Sequence, residues 1–335
     1  MIKIALNGFG RIGKLALRRL FDNDISVEFI NDKNGDPDLF AHLLEFDTVH
    51  GRWNRSISND SVSLTVDNQK IPVFCEENID NLPLDGIDIV IDCTGFFKSE
   101  ELLAQYSKNG VQKVIVSAPV KAGTVANLVY GVNESIYDPN MHNIVTAASC
   151  TTNCLAPIVK VVHESLGIKH GSITTIHNVT NTQTIVDRPS KDFRRSRSAL
   201  NSLIPTTTGS ATAINLIYPE LNGKLNGSAV RVPLLNASLT DAVFELNTST
   251  TVSEVNGLFE NAAETYLKDI LGYESRALVS SDFVNDPRSC IIDGQSTMVV
   301  DGTHLKVCAW YDNEWAYVSR LVDIVCMVKL SLDAD

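Results

Sequence analysis

The chain has no apolar run of the length a membrane span needs, no low-complexity linker and no internal repeat. It is short of positive charge: 28 Lys and Arg against 40 Asp and Glu leave a formal net charge of −12. That balance argues against nucleic acid or an anionic membrane as the main partner, although a local basic patch can still hold a small anion. Its seven cysteines are odd in number and scattered, which suits free thiols in a reducing compartment rather than a disulfide framework. Met1-Ile2-Lys3-Ile4-Ala5-Leu6 runs into a glycine turn instead of a signal-peptide core, so a cytoplasmic address is expected. What remains is an ordinary globular composition, 44% apolar and 20% charged over 335 residues, a comfortable length for two domains.

The first organised unit reads β-α-β. Apolar Ile2 to Leu6 leads into Asn7-Gly8-Phe9-Gly10-Arg11-Ile12-Gly13, then into Lys14 to Phe21 with helical apolar spacing, then into a strand Val27 to Asn31 ending at Asp32. A lone G-x-G-x-x-G is often an incidental turn; here it follows a strand, opens a helix and has an acidic residue at about the expected ~20-residue interval. Gly8 and Gly10 permit a tight turn and close approach of a pyrophosphate, and Gly13 lets the helix pack on the strand. Asp32 can accept from both hydroxyls of an adenosine ribose and repels a 2′-phosphate, which predicts NAD over NADP, with Lys33 able to offset part of that repulsion. Further strands, Ile87 to Gly95 and Lys113 to Pro119, flank a helix at Leu102 to Lys108. The alternation implies an α/β, Rossmann-type, doubly wound parallel sheet, with Thr94, Gly95 and Ser117 lining the cofactor crevice or standing there only as polar strand ends.

The second centre of interest is Ser149-Cys150-Thr151-Thr152-Asn153-Cys154. It follows a strand, Asn143 to Thr146, and precedes a helix, Ile158 to Val162, with Pro157 expected in the first turn. A cysteine at a helix N-terminus sits among backbone N–H groups at the positive end of the macrodipole, which favours a thiolate, so Cys150 is a candidate nucleophile. The CxxxC pair could instead be redox-active or metal-binding, but nothing nearby completes a four-ligand zinc set, and no metal is expected. Beyond Cys150 long β-rich runs alternate with helical stretches at Gly209 to Tyr218 and Val252 to Leu267, an α+β pattern with a mostly antiparallel sheet. A polar segment holding Arg188, Arg194, Arg195 and Arg197 reads as an anion site or a subunit contact. The domains expected are residues 1–149, completed by a C-terminal helix over 315–335, and residues 150–314.

These motifs, with Gly223-Lys224-Leu225-Asn226-Gly227, Arg231-Val232-Pro233 and Trp310-Tyr311-Asp312-Asn313-Glu314-Trp315, resemble the signatures of phosphorylating glyceraldehyde-3-phosphate dehydrogenase, in register from residue 2 to about 330. The resemblance implies that Cys150 attacks the aldehyde and that His177 is the base. It also implies that hydride passes to NAD and that inorganic phosphate cleaves the resulting thioester. It implies further that Thr180, Thr182 and Arg231 hold the substrate's C3 phosphate, and that Ser149, Thr151, Thr208, Gly209 and Arg195 hold the attacking phosphate. Asn313 and Tyr317 would orient the nicotinamide carboxamide. Members are usually homotetramers in which the arginine-bearing loop reaches a neighbour.

The chain departs from the usual family pattern. It has Thr146-Ala147-Ala148 before Ser149-Cys150, Thr212 where a lysine is usual, Leu234-Leu235-Asn236-Ala237-Ser238-Leu239-Thr240-Asp241 after Pro233, and Trp315-Ala316-Tyr317 for Trp-Gly-Tyr. With His42 to Trp53 and Thr180 to Asp187, these features are similar to paralogues found beside arsenate-resistance transporters, in which arsenate replaces phosphate and 1-arseno-3-phosphoglycerate is exported. The alternatives are the housekeeping glycolytic enzyme, erythrose-4-phosphate dehydrogenase and a non-enzymatic binding role.

Overall fold

The computed structural model describes residues 2–120 and 123–333. The chain divides into two compact units, residues 1–149 with 318–335, and residues 150–317. The first holds strands β1 (Ile4–Asn7), β2 (Phe29–Asn31), β3 (Ile57–Asn59), β4 (Ser63–Val66), β5 (Gln69–Phe74), β6 (Ile89–Asp92), β7 (Lys113–Val116), β8 (Ala126–Asn127) and β9 (Ile144–Thr146). Its helices are α1 (Arg11–Asp22), α2 (Pro37–Glu45) and α3 (Glu100–Lys108). The sheet runs β3-β4-β5-β2-β1-β6-β7-β9-β8. The pairings from β5 through β2, β1, β6, β7 and β9 to β8 are parallel. Strands β1, β2, β6 and β7 are buried along their whole length, as expected of a sheet covered on both faces. The chain leaves β1 towards β2 and later crosses to β6 on the other side of β1, so the topological switch point, where ligands bind in such sheets, lies at the carboxyl end of β1.

Local chemistry fixes the helices around that point. Gly8 has φ +95°, and a Cβ on Gly13 would stand 1.9 Å from the Gly8 carbonyl oxygen, so α1 rests directly on the turn. Helix α2 is capped by the Asp36 side chain on the Leu39 N–H at 2.9 Å and opens with Pro37. Buried Arg18 of α1 closes the other end of α2, its guanidinium donating to the Leu44 and Gly51 carbonyls.

The second unit holds α4 (Cys150–Leu166), β10 (Ile168–Asn178), β11 (Ile204–Thr207), α5 (Ser210–Ile217), β12 (Leu225–Val232), β13 (Ser238–Leu246), α6 (Val252–Glu264), β14 (Leu271–Glu274), β15 (Cys290–Asp293), β16 (Met298–Val300) and β17 (His304–Tyr311). Its sheet runs β11-β12-β10-β13-β17-β15-β14, with β16 beside β17. Pairing is antiparallel except for β10 with β12 and β14 with β15. Strand β13 alternates in burial, with Ser238, Thr240, Ala242, Phe244 and Leu246 buried. The C-terminal helix is α7 (Trp315–Asp333). Of the C-terminal helix expected over 315–335, residues 334 and 335 lie outside the described residues.

Two expectations are corrected. Helix α4 begins at Cys150, so Pro157 lies inside it and not in its first turn. The helix absorbs a residue that brings no N–H to its ladder because both flanks are sealed by packing, Leu155, Ala156, Ile158 and Val159 all being fully buried. The short antiparallel strands β3 to β5 and helix α2 lie in a stretch where no element was expected. No helix of the described residues is long and apolar enough to cross a membrane.

The Gly13 contact sets a test. Gly13→Ala must displace either α1 or the Gly8 turn, and the expected cost is about 1–3 kcal/mol of unfolding free energy. Urea denaturation indistinguishable from wild type would show that α1 does not rest on that turn.

Candidate active site

Cys150 is the first residue of α4, reached through a turn in which Ala148 has φ +50°, a left-handed backbone unusual for a residue with a Cβ. Its Sγ lies 3.6 Å from Nε2 of His177, near the end of β10. His177 is buried, and its ring meets that of Tyr311 edge-on at 6.1 Å. Tyr311 in turn pairs its hydroxyl with that of Thr151 at 2.9 Å. Nδ1 of His177 is 2.8 Å from the Asn178 carbonyl oxygen and 2.6 Å from Nη1 of Arg231, its registered neighbour on β12. These two contacts ask for opposite tautomers: a proton on Nδ1 serves the carbonyl and leaves the Nε2 lone pair facing the thiol.

Opposing effects act on the thiol and on the imidazole. Burial pushes the Cys150 thiol up, with the Thr151 hydroxyl and the Arg231 charge pulling against it. Burial, then Arg231, lowers His177 to about 4. Desolvation thus works against the charged form of each group, while Thr151 and Arg231 favour the thiolate. A neutral imidazole within reach of a thiol can accept its proton when an electrophile arrives.

Arg231 touches this pair, and further anion donors cluster with one another in the same unit. Arg231 is half-buried, and its buried Nε has no hydrogen-bond partner among the described residues, an orphaned cationic donor of the kind that marks an anion site. Thr180 and Thr182 join hydroxyls at 2.9 Å, and Arg195 reaches Thr182 at 3.3 Å and Thr206 at 3.0 Å. Sequence reasoning set Arg195 apart from Thr180 and Thr182; the structure brings these three together. Thr208 bonds the Ser210 hydroxyl at 3.0 Å, and Gly209 precedes α5. Ser149 immediately precedes α4. Asn313 is buried beside Ser238 at 3.4 Å, and Tyr317 is buried in the first turn of α7.

Of the other sequence-marked residues, Asn7, Gly8, Asp32 and Thr94 line a cleft of the first unit, with Phe96 among others, whereas Gly10, Arg11, Ile12, Gly13, Gly95 and Ser117 are not in its lining. Asp32 accepts from the Phe9 N–H at 2.7 Å on one oxygen and from the Asn34 N–H at 2.9 Å on the other, which fixes the carboxylate while leaving lone pairs for a ligand. Gly10 precedes α1 with open space where a Cβ would stand. Ile12 follows Arg11 in the first turn of α1, and the Arg11 guanidinium is held by Asp47. Lys33 is paired with Glu77 at 2.7 Å, which ties up the cation that could have welcomed a 2′-phosphate. Gly95 turns with φ +63° after Thr94, and Ser117, just after β7, donates its N–H to the Asp92 carbonyl at 2.9 Å.

Two family models match: the glyceraldehyde 3-phosphate dehydrogenase NAD binding domain over residues 2–100 and the C-terminal domain of the same enzyme over residues 149–313. The chain is 56% identical to glyceraldehyde-3-phosphate dehydrogenase 3 of Nostoc sp. over 335 residues, 99% of each chain. It is 47% identical to the glyceraldehyde-3-phosphate dehydrogenase of Geobacillus stearothermophilus over 98% of each, and 45% identical to glyceraldehyde-3-phosphate dehydrogenase 1 of Bacillus subtilis over 98% of each. The chain belongs to the glyceraldehyde-3-phosphate dehydrogenase family. It is an enzyme of that family and its cofactor is NAD.

The cleft fits that cofactor. A glycine turn that a Cβ on Gly8 would fill, 2.4 Å from the Cys93 and Thr94 backbone, meets an uncapped helix start and an anchored Asp32. Residues that sequence reasoning did not single out also stand at these dehydrogenase sites: Asn31, Glu77 and Phe96 in the cleft, Thr206 beside Arg195, and Tyr311 beside the thiol. Strand-end polarity hinted at Asn31. The rest came together only through tertiary packing.

The depressed His177 pKa has a consequence for stability. An unfolded histidine titrates near 6.5, so the buried neutral ring contributes fully above that pH, and its contribution is lost as pH falls towards about 4. The gap of roughly 2.5 units is worth about 3 kcal/mol at most. His177→Asn should therefore flatten the fall in unfolding free energy between pH 7 and pH 4, measured by urea denaturation at each pH. Parallel wild-type and variant profiles would place the His177 pKa near its ordinary value.

Proposed function

We propose that the enzyme oxidises glyceraldehyde 3-phosphate through an acyl group carried on Cys150, and that the attacking oxyanion is phosphate or, in a detoxifying role, arsenate. The observation that carries this reading is the 3.6 Å contact between Cys150 Sγ and His177 Nε2, with the Arg231 guanidinium against the same imidazole. Cys150 attacks the aldehyde carbon as Nε2 takes the thiol proton and passes it to the former carbonyl oxygen, giving a thiohemiacetal and a neutral imidazole again. His177 then accepts the hydroxyl proton, and the thioester forms. NAD, when bound, supplies the hydride acceptor for that oxidation. Asn7, Gly8, Gly10, Arg11, Ile12, Gly13, Asp32, Thr94, Gly95 and Ser117, with Asn313 and Tyr317, are the residues proposed to hold it. An oxyanion oxygen attacks the thioester carbonyl and the Cys150 sulfur leaves, regenerating the thiol.

Arg231, Thr180 and Thr182 are assigned to the substrate's C3 phosphate, and Ser149, Thr151, Thr208, Gly209 and Arg195 to the oxyanion. The link from Arg195 to Thr182 puts one guanidinium within reach of both groups of donors, which suits two anions that must be held close together. Burial that raises the Cys150 thiol makes it depend on His177 to take its proton when substrate arrives. The exposed apolar side chains of the arginine-bearing loop, Ile185, Val186, Phe193, Leu200 and Leu203, support a subunit contact and hence the homotetramer.

Phosphate and arsenate share charge, shape and donor requirements, so the glycolytic role is equally consistent with these residues; an exporter gene and an arsenic-responsive regulator beside this one would favour detoxification. Erythrose-4-phosphate dehydrogenase activity would instead release a free acid. Steady-state NAD reduction with glyceraldehyde 3-phosphate tests the reading in either oxyanion. Turnover is expected with both, to vanish in Cys150→Ser because the alcohol forms no thioester, and to stay within about tenfold in Cys154→Ser. Equal loss in the two variants, or turnover independent of oxyanion, contradicts the assignment.

A further inference from the structure

Beneath the dinucleotide cleft runs a one-way chain of buried hydrogen bonds that the chemistry above does not use. Its direction is set at one end by the backbone: the Glu76 N–H donates to Asn31 Oδ1 at 2.8 Å, so the Asn31 amide nitrogen must face away, and it donates to Asn7 Oδ1 at 2.7 Å. Asn7 then presents its own Nδ2 to the Tyr106 hydroxyl oxygen at 2.5 Å. With that lone pair occupied, Tyr106 gives its proton to Asp92 Oδ2 at 2.8 Å. The second Asp92 oxygen accepts from the Thr94 N–H at 3.0 Å and the Thr94 hydroxyl at 2.7 Å, and the Thr94 oxygen accepts from the Phe96 N–H at 3.1 Å. Asn7, Asn31, Asp92 and Tyr106 are each 3% exposed or less.

The two ends of this chain are the two walls of the cleft. Glu76 follows β5 on one side, Thr94 and Phe96 follow β6 on the other, and Asn7 and Asn31 form the floor between them. A single carboxyl takes the last donors from both walls. Burial pushes Asp92 up to about 6 against the pull of its Thr94 and Tyr106 hydrogen bonds, so an ionisable group is kept there at a cost in solvation. No amide in the chain can turn over alone without setting donor against donor.

We infer that Tyr106 and Asp92 are positioning residues for the dinucleotide: without touching it, they hold Asn7 and the Thr94 turn in the arrangement the cofactor meets. The inference rests on NAD occupying this cleft. Tyr106→Phe keeps the packing of a fully buried ring and removes the link between Asn7 and Asp92. Asp92→Asn sets an NH₂ donor against the Tyr106 hydroxyl and forces the chain to reverse, which the Glu76 N–H does not permit. Each change is expected to raise the calorimetric Kd for NAD by about 5- to 20-fold. KM for NAD should rise with it, while kcat at saturating NAD stays within about twofold and KM for the aldehyde does not change. Because both substitutions break one chain, the double variant should be no worse than the poorer single variant. Thermal unfolding of the apoprotein separates a purely structural role: variants that lower Tm with the NAD Kd unchanged overturn the inference, as do effects that add. If Asp92→Asn does not fold, Tyr106→Phe alone decides, through its Kd. A wild-type chain that bound no NAD would overturn the cofactor reading itself, whereas wild-type binding with unchanged affinity in Tyr106→Phe overturns only this inference.

Discussion

The chemistry proposed for this enzyme depends on a sulfur atom at the first position of a buried helix standing 3.6 Å from an imidazole nitrogen. Neither partner is local to the other. Cys150 is aimed by the left-handed turn at Ala148 and by α4, whose apolar surface is buried; His177 is aimed by β10, paired on both sides with β12 and β13. The contact is thus a property of the whole second unit, and loosening α4 or β10 would misalign the pair before it broke any bond to substrate.

Burial sets the chemical character of that pair. Desolvation raises the thiol and lowers the imidazole, so it works against charge on both reactive groups. Arg231 is the group that acts on both. Its charge favours a thiolate, disfavours an imidazolium, and competes with the Asn178 carbonyl for Nδ1. An anion that draws the guanidinium through its unpartnered Nε would relieve that competition, so the donor set proposed for the substrate phosphate is also the set that governs the base.

The sequence showed most of the first unit because its signals are local. A glycine pattern between an apolar strand and a helical period leaves few folds open, and Gly8, Gly13 and Asp32 stand where that pattern places them. The strands of the second unit were legible from alternation, as β13 illustrates. What failed was what packing decides. Pro157 signals a helix start by propensity alone, and only the burial on either side of it shows that α4 has already begun. Strands β3 and β4 are short and partly polar, too weak a period to stand out. Cys150 and His177 were visible singly, but their contact and the burial of His177 were not, since neither is local in the sequence. Asp92 and Tyr106, 14 residues apart, fell inside an expected strand and an expected helix, with nothing in the sequence to join them.

The central claim is that Cys150 carries the acyl group, and the most direct measurement is peptide mass analysis of enzyme mixed with glyceraldehyde 3-phosphate and NAD, without oxyanion, and quenched in acid. A phosphoglyceryl mass on the peptide containing Cys150 is predicted, present in Cys154→Ser and discharged when phosphate or arsenate is added before the quench. NADH formation with no adduct on Cys150, or an adduct on another cysteine that turns over with the oxyanion, would contradict it.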